Sequence, residues 1–207
     1  MKTNTLGSIK LAIVASLAIV QVAKADFDIT FGIGNNFLSN PVFDVGGSVV
    51  NTASYLSGTA YKGQLYVGAD AGSLTKLGTG GLVITASGNV DGIRTFLTSG
   101  GAGFINGGAF TVTSGTFNAG SSAVYQVRVW EAAYSSFEAA ALVNNAKIGS
   151  SAVTAITLGG TTTGATPVLI TAKADLHGAF GLTTVPEPAT LALGIFGAAG
   201  MLFRRRK

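Results

Sequence analysis

Short runs that alternate apolar and polar positions, separated by glycine, dominate the chain from about residue 26 to residue 184. In Gln64-Leu65-Tyr66-Val67, an extended backbone puts Leu65 and Val67 on one face. In Ala123–Glu131, Tyr125, Val127 and Val129 share one face while Gln126, Arg128 and Trp130 share the other. A period of two is that of a strand whose two faces meet different surroundings. The same criterion predicts strands at Phe27–Ile33, Val42–Val45, Leu82–Thr85, Arg94–Leu97, Phe110–Thr113, Val153–Leu158 and Val168–Thr171. Turn-forming residues separate them, at Gly46-Gly47, Gly68–Gly72, Gly78–Gly81, Asp91-Gly92, Gly100-Gly101, Gly107-Gly108 and Gly159-Gly160. Short strands without long helices between them predict a mainly β fold, a single antiparallel β-sandwich of the immunoglobulin or jelly-roll kind.

One internal stretch departs from that pattern. Ser135-Ser136-Phe137-Glu138 fits a capping box, with Ser135 as N-cap and Glu138 three residues on, ahead of Ala139–Leu142. This predicts a short helix at about 136–143. Thr161–Pro167 reads as a loop, and part of 172–184 as a candidate stalk. No fixed-period repeat runs through the span, which argues against a solenoid.

The two chain ends carry uninterrupted apolar runs instead. Lys2 and Lys10 lead into the run Leu11–Val20, and Ala23-Lys24-Ala25 then presents small residues at the two positions a signal peptidase reads. A signal helix removed after Ala25 is expected, because the run is shorter than the roughly 20 residues that span a bilayer. At the other end Val185-Pro186-Glu187-Pro188 precedes an apolar stretch, Ala189–Phe203, closed by Arg204, Arg205, Arg206 and Lys207. A hydrophobic helix ending in cations keeps its end in the cytoplasm while everything before it is exported. At about 1.5 Å per residue this helix covers roughly 22 Å, less than a hydrocarbon core of about 30 Å. It suits a temporary membrane hold better than a permanent anchor. The expected organisation is a signal peptide at 1–25, an exported domain at 26–184 and a sorting tail at 185–207, with the membrane helix at about 189–203.

Pro186-Glu187-Pro188, the apolar helix and the terminal arginines, in that order, resemble the PEP-CTERM sorting signal of Gram-negative bacteria. Tails of this type are also described as the C-terminus of ice-binding proteins, a description of the tail that implies no ice binding. The resemblance implies an exosortase-like membrane protease acting at Pro186, Glu187 and Pro188, with Arg204, Arg205 and Arg206 as part of the signal. It further implies a passage through the inner membrane to the outer envelope, cell surface or extracellular matrix, and association with extracellular polysaccharide or biofilm. Within the span, Asn40-Pro41-Val42-Phe43-Asp44, Gly63–Asp70 and Tyr125–Trp130 are similar, in order and spacing, to a group of exported proteins bearing the same kind of tail. That likeness implies one intact domain and brings no activity with it.

Charge changes the picture once it is divided by segment. Thirteen basic and nine acidic residues give the chain +4, but seven of the basic and one of the acidic lie outside 26–184. The span itself holds six basic against eight acidic residues, so its net charge is −2 and no nucleic-acid partner is expected. It has no cysteine, so the domain relies on its core alone.

Candidate chemistry is sparse. His177, with Asp175 nearby, is the one histidine, and no Gly-x-Ser-x-Gly elbow accompanies it. One His and no Cys leave zinc without its usual ligands, and no cofactor is expected. Asp26, Asp28, Asp70 and Asp91 match no calcium loop, and turn aspartates ordinarily bond their own backbone. Gly32–Phe37 lacks the third glycine of a dinucleotide fingerprint. Glu131 and Glu138 are the only glutamates of the span and fall on different elements, so a carboxylate pair for glycoside hydrolysis is not expected. The Thr-rich strand at Phe110–Thr116 has no regular repeat to make an ice-binding face. The aromatics Tyr55, Tyr61, Tyr66, Tyr125, Trp130 and Tyr134 leave one alternative to a non-enzymatic surface protein. Trp130, with Arg128 on the same strand face, is a candidate glycan contact, against the competing expectation that Trp130 is a core residue.

Overall fold

The computed structural model describes residues 25–31, 41–84, 91–98, 101–105, 108–118, 120–160, 168–169 and 178–187. The expected signal helix and C-terminal helix lie outside them. Among the described residues the fold is mainly β, with two large sheets.

The first sheet contains β1 (Ala25–Phe31), β5 (Leu82–Ile84), β7 (Gly108–Ser114), β11 (Gly159–Gly160) and β12 (Val168–Leu169), with β1 and β7 paired antiparallel along seven residues. The second is built on β3 (Tyr61–Gly68) and β8 (Ser122–Glu131), antiparallel from Tyr61↔Glu131 to Gly68↔Val124. Around them lie β4 (Thr75–Lys76), β6 (Arg94–Thr95), β9 (Lys147–Ser150), β10 (Thr154–Thr157) and β14 (Thr183–Thr184). A separate two-stranded pair joins β2 (Val42–Phe43) to β13 (Phe180–Gly181).

The apolar faces of the sheets meet in one core, as a sandwich requires. Ile29, Leu82, Ile84 and Val112 come from the first sheet, and Leu65, Val67, Tyr125, Val127, Val129 and Ile156 from the second. Tyr125, Val127 and Val129 alternate inward along β8, following the period read from the sequence. Each such side chain, fully buried, stabilises the fold by about 1.5–3 kcal/mol relative to exposure.

The other face of β8 is covered as well. The helix α1 (Phe137–Ala140) lies across it and forms a second apolar cluster of Trp130, Ala140 and Ala146, with Ile93, Tyr134, Phe137, Ile148 and Val185 packed around it. Its N-cap is Ser136, whose hydroxyl accepts from the Ala139 N–H, so the helix starts one residue later than the capping-box reading and is shorter. Glu138, in the first turn of α1, reaches across to Tyr66 and Arg128 on the second sheet.

Two further differences concern the strands. Gly159-Gly160, read as a turn, is a strand hydrogen-bonded to Phe27 and Asp28, because the edge of β1 supplies an unpaired backbone that needs no side chains from its partner. Both β1–β12 and β2–β13 are parallel. Parallel neighbours need a long connection, and these come from opposite ends of the chain.

Candidate functional site

The end of the domain is built into the fold up to the residue before Pro186. Leu182 is buried, and its N–H donates to the Phe43 carbonyl at 2.9 Å. Thr183 and Thr184 pair with Ile148 and Lys147 of β9. The Val185 N–H then donates to Ala146 O at 2.8 Å, and the Asn145 N–H to Val185 O at 3.0 Å. Pro186 has no N–H to continue this ladder, and Pro186 and Glu187 are exposed. The candidate stalk is therefore corrected for 178–184: the buried Leu182 and the pairing of β14 make that segment part of the sandwich.

Arg128 stands at the middle of a second constellation, on the outer face of β3 and β8. Its guanidinium lies over the Tyr66 ring at 4.1 Å and the Phe137 ring at 5.2 Å. Its Nε donates to Gln126 Oε1 at 2.8 Å, and its Nη1 is 3.5 Å from Glu138 Oε1. The same Glu138 oxygen accepts from the Tyr66 hydroxyl at 2.6 Å, while Oε2 lies 3.7 Å from Lys76 Nζ. Burial, and then the bond to Glu138, push the Tyr66 phenol well above its ordinary range. Partial burial works against the Glu138 charge, but the Tyr66 hydroxyl, the helix start and Lys76 outweigh it and hold the carboxyl below its usual value. The cluster is a fixed, charged ledge beside α1, with no group poised as a base.

A third set of contacts closes the sandwich near its C-terminal end. Lys147 Nζ is 2.9 Å from Asp44 Oδ2 and donates to the Tyr61 hydroxyl at 3.4 Å. Its backbone N–H donates to Glu131 Oε2 at 3.0 Å. The Asp44 bond holds Lys147 protonated to higher pH. Although partial burial opposes it, Asp44 stays below the ordinary carboxyl value because Lys147 and the Val45 N–H stabilise its anion.

Of the side chains singled out for sugar contact, Arg128, Tyr55, Tyr61 and Tyr134 are partly exposed. Trp130 is 0% exposed, and its indole N–H donates to Tyr134 O. It is a core residue, so the expected contact there is corrected: α1 covers the ring. Tyr66 and Tyr125 are buried too. Arg128 stacks on Tyr66 and Phe137 and forms no cation–π pair with Trp130. Asp70 accepts from Gly72 N–H and Asp91 from Ile93 N–H, each bonding its own turn. Among the described residues no three His, Cys, Asp or Glu side chains are placed to hold a metal ion. Ala23, Asp175, His177, Pro188 and Arg204–Arg206 lie outside the described residues, as does Gly32–Phe37. The side chains of Ala25, Asp26 and Asp28 do too.

Sequence reasoning missed Tyr66, Phe137 and Glu138 as partners of Arg128, and Lys76 as a partner of Glu138. The two-residue period places Tyr66 on the same face as Gln126 once β3 and β8 are paired, but the helix that carries Glu138 reaches that face only through the tertiary fold. The Asp44–Lys147 contact joins residues 103 apart and leaves no local signal.

Residues 184–207 match the family model described as the PEP-CTERM protein-sorting motif. The chain carries a PEP-CTERM sorting signal. The match opens at Thr184, the last residue of β14, so the signal begins where the sandwich ends. It marks an exported, cell-surface protein sorted by an exosortase, a membrane protease. No curated protein and no solved structure matches the chain. Among the described residues no helix is long and apolar enough to cross a membrane.

Proposed function

We propose that this is a non-enzymatic surface or matrix protein whose sandwich is displayed after its tail has been cut away. The signal peptide at 1–25 would be removed by signal peptidase. The apolar segment 189–203 would then hold the chain in the inner membrane until an exosortase-like protease acts at Pro186-Glu187-Pro188. The product would pass to the outer envelope, cell surface or extracellular matrix, in association with exopolysaccharide or biofilm. The observation that carries this reading is the sorting motif following directly on an ordered strand, with Pro186 and Glu187 exposed. The absence of an enzymatic role is supported by the two glutamates of the span. Each is occupied by structural bonds, Glu131 to the Lys147 backbone and Glu138 to Tyr66.

Intact mass of the protein from its producer's envelope and growth medium tests the proposal. Loss of residues 1–25 and of the segment beyond Pro186-Glu187-Pro188 is expected, and added mass at the new C-terminus would reveal attachment to a surface polymer. A chain that keeps Arg204–Lys207 in every fraction overturns it. A glycan-binding module remains the second reading, now resting on the Arg128, Lys76 and Glu138 ledge instead of on Trp130. Binding of the producer's exopolysaccharide that is lost in Arg128→Ala would favour it.

A further inference from the structure

We infer that the end of the sandwich from which the tail departs is a membrane-facing surface, seated on the lipid bilayer that holds the tail. The inference rests on the membrane-retained tail proposed above and adds which face of the domain meets lipid.

Three segments converge at this end. Strands β2 and β13 run parallel, with Phe43 beside Gly181, so the loop that follows Phe43 points the same way as the chain leading to Pro186. Strand β9 is antiparallel to β14, with Lys147 beside Thr184, so the residues just before Lys147 also lie beyond that end. The Asp44–Lys147 ion pair joins the two flanking segments, and the Val185 backbone bonds tie the exit strand between Ala146 and Asn145. The Tyr55 hydroxyl donates to the Val49 carbonyl and fixes the first loop.

These segments collect the exposed apolar side chains of the domain. Of the seven large hydrophobic residues exposed among those described, Val45, Val49, Val50, Leu142 and Val143 lie here, Val50 at 91% and Leu142 at 86% exposure. Val45–Ser54 and Leu142–Ala146 contain no ionisable side chain, and Asp44 beside them is neutralised by Lys147. Two loops that are apolar and uncharged cost little to press into a headgroup layer and gain from burying their side chains, while the exposed Glu187 of the tether and the partly exposed Lys62 and Glu131 nearby suit the polar headgroups.

The tether decides what covers this end. Only Pro186, Glu187 and Pro188 separate Val185, the last residue with a backbone bond among those described, from the apolar run that opens at Ala189. Three extended residues reach roughly 11 Å. The headgroup layer on each side of the hydrocarbon is roughly 5–8 Å deep. A tail inserted from Ala189 onward therefore brings the valines and Leu142 to the lipid surface. Five small side chains bind a bilayer weakly, but tethering makes the contact intramolecular and sustains it. Removal of the tail abolishes that advantage and lets the domain leave.

The chain has no cysteine, so single environment-sensitive fluorophores can be placed by Val50→Cys and Leu142→Cys, with Val153→Cys, level with the middle of β8 and away from this end, and Leu193→Cys in the tail as references. Each full chain is exported in a bacterial host lacking an exosortase. It is then purified from the membrane and reconstituted in vesicles of phosphatidylethanolamine and phosphatidylglycerol with or without brominated lipid. Bromolipid quenching at 50 and 142 as well as at 193, together with unquenched emission at 153, is expected. Quenching at 193 with 50 and 142 behaving like 153 overturns the lipid-facing surface and leaves the tail reading standing. Protection of 50 and 142 from aqueous iodide without bromolipid quenching assigns the face to a second protein copy and overturns the lipid assignment. An unquenched probe at 193 defeats the tail reading, and this inference falls with it.

Discussion

Arg128 shows how much of this surface depends on the geometry of single side chains. A planar guanidinium can lie over Tyr66 and Phe137 while its edge bonds Gln126 and faces Glu138. An ammonium has no plane to stack and no second donor edge. Arg128→Lys therefore keeps the charge and loses the arrangement, and should destabilise the domain by about 1 kcal/mol, read as a lower urea midpoint with an unchanged slope. An unchanged midpoint would mean that the stacked geometry contributes nothing. The helix cap makes an equally local prediction. Ser136 accepts the Ala139 N–H, so Ser136→Ala should cost about 1 kcal/mol while Ser135→Ala costs little. The reverse ranking in urea melts would restore Ser135 as the cap.

At the scale of elements, the decisive contact is the one that ties the exit strand to β9. A Cβ placed on Gly149 would sit 2.8 Å from Leu182 Cδ2 and 3.0 Å from the Gly181 carbonyl oxygen. The backbone oxygen has no rotamer by which to withdraw, so Gly149→Ala must displace the segment 181–182. A loss of about 1–3 kcal/mol is expected, typical of overpacking. Limited proteolysis followed by mass spectrometry should then show cleavage within 178–186 before the rest of the domain is cut, and equal protection in variant and parent would refute the tight docking. Such a strand could not have been read from the sequence. Long strands announce themselves, since β3 and β8 carry several cycles of alternation and Tyr125, Val127 and Val129 point where the period puts them. Two-residue strands such as β11, β13 and β14 have no period, and Gly159-Gly160 looks like a turn until the edge of β1 is known to need a partner. The tail is legible because its signal is a linear order of local features. Trp130 is ambiguous for the opposite reason, because whether its face meets water or α1 is decided by another element.

Over the whole molecule, two carboxylates hold separate pieces together, and both should register in acid. Asp44 links the β2 loop to Lys147 of β9, and Glu138 links α1 to Tyr66 and Arg128 on the second sheet. Burial disfavours both charges, yet their partners outweigh it, so each carboxyl titrates lower in the folded chain than in the unfolded one. A depressed value means that the unfolded state binds protons first. The stabilisation is complete above the unfolded value, about 4, and is lost as pH falls through the folded values. The urea midpoint should hence stay level between roughly pH 7 and 5 and decline below about 4.5. Both groups are partly exposed, so the decline is modest and added salt weakens it further. Asp44→Asn with Glu138→Gln should lower the midpoint at neutral pH and flatten the acid decline, because the groups whose protonation drives it are gone. An acid decline as steep as the parent's would transfer that role to the other carboxylates of the span. It would leave the Lys147 and Arg128 contacts as geometry without a share in stability. The same pair of variants separates two effects at the exit end, since Asp44→Asn loosens the loop bearing Val45, Val49 and Val50 while Glu138→Gln acts only across the outer face of the sheet.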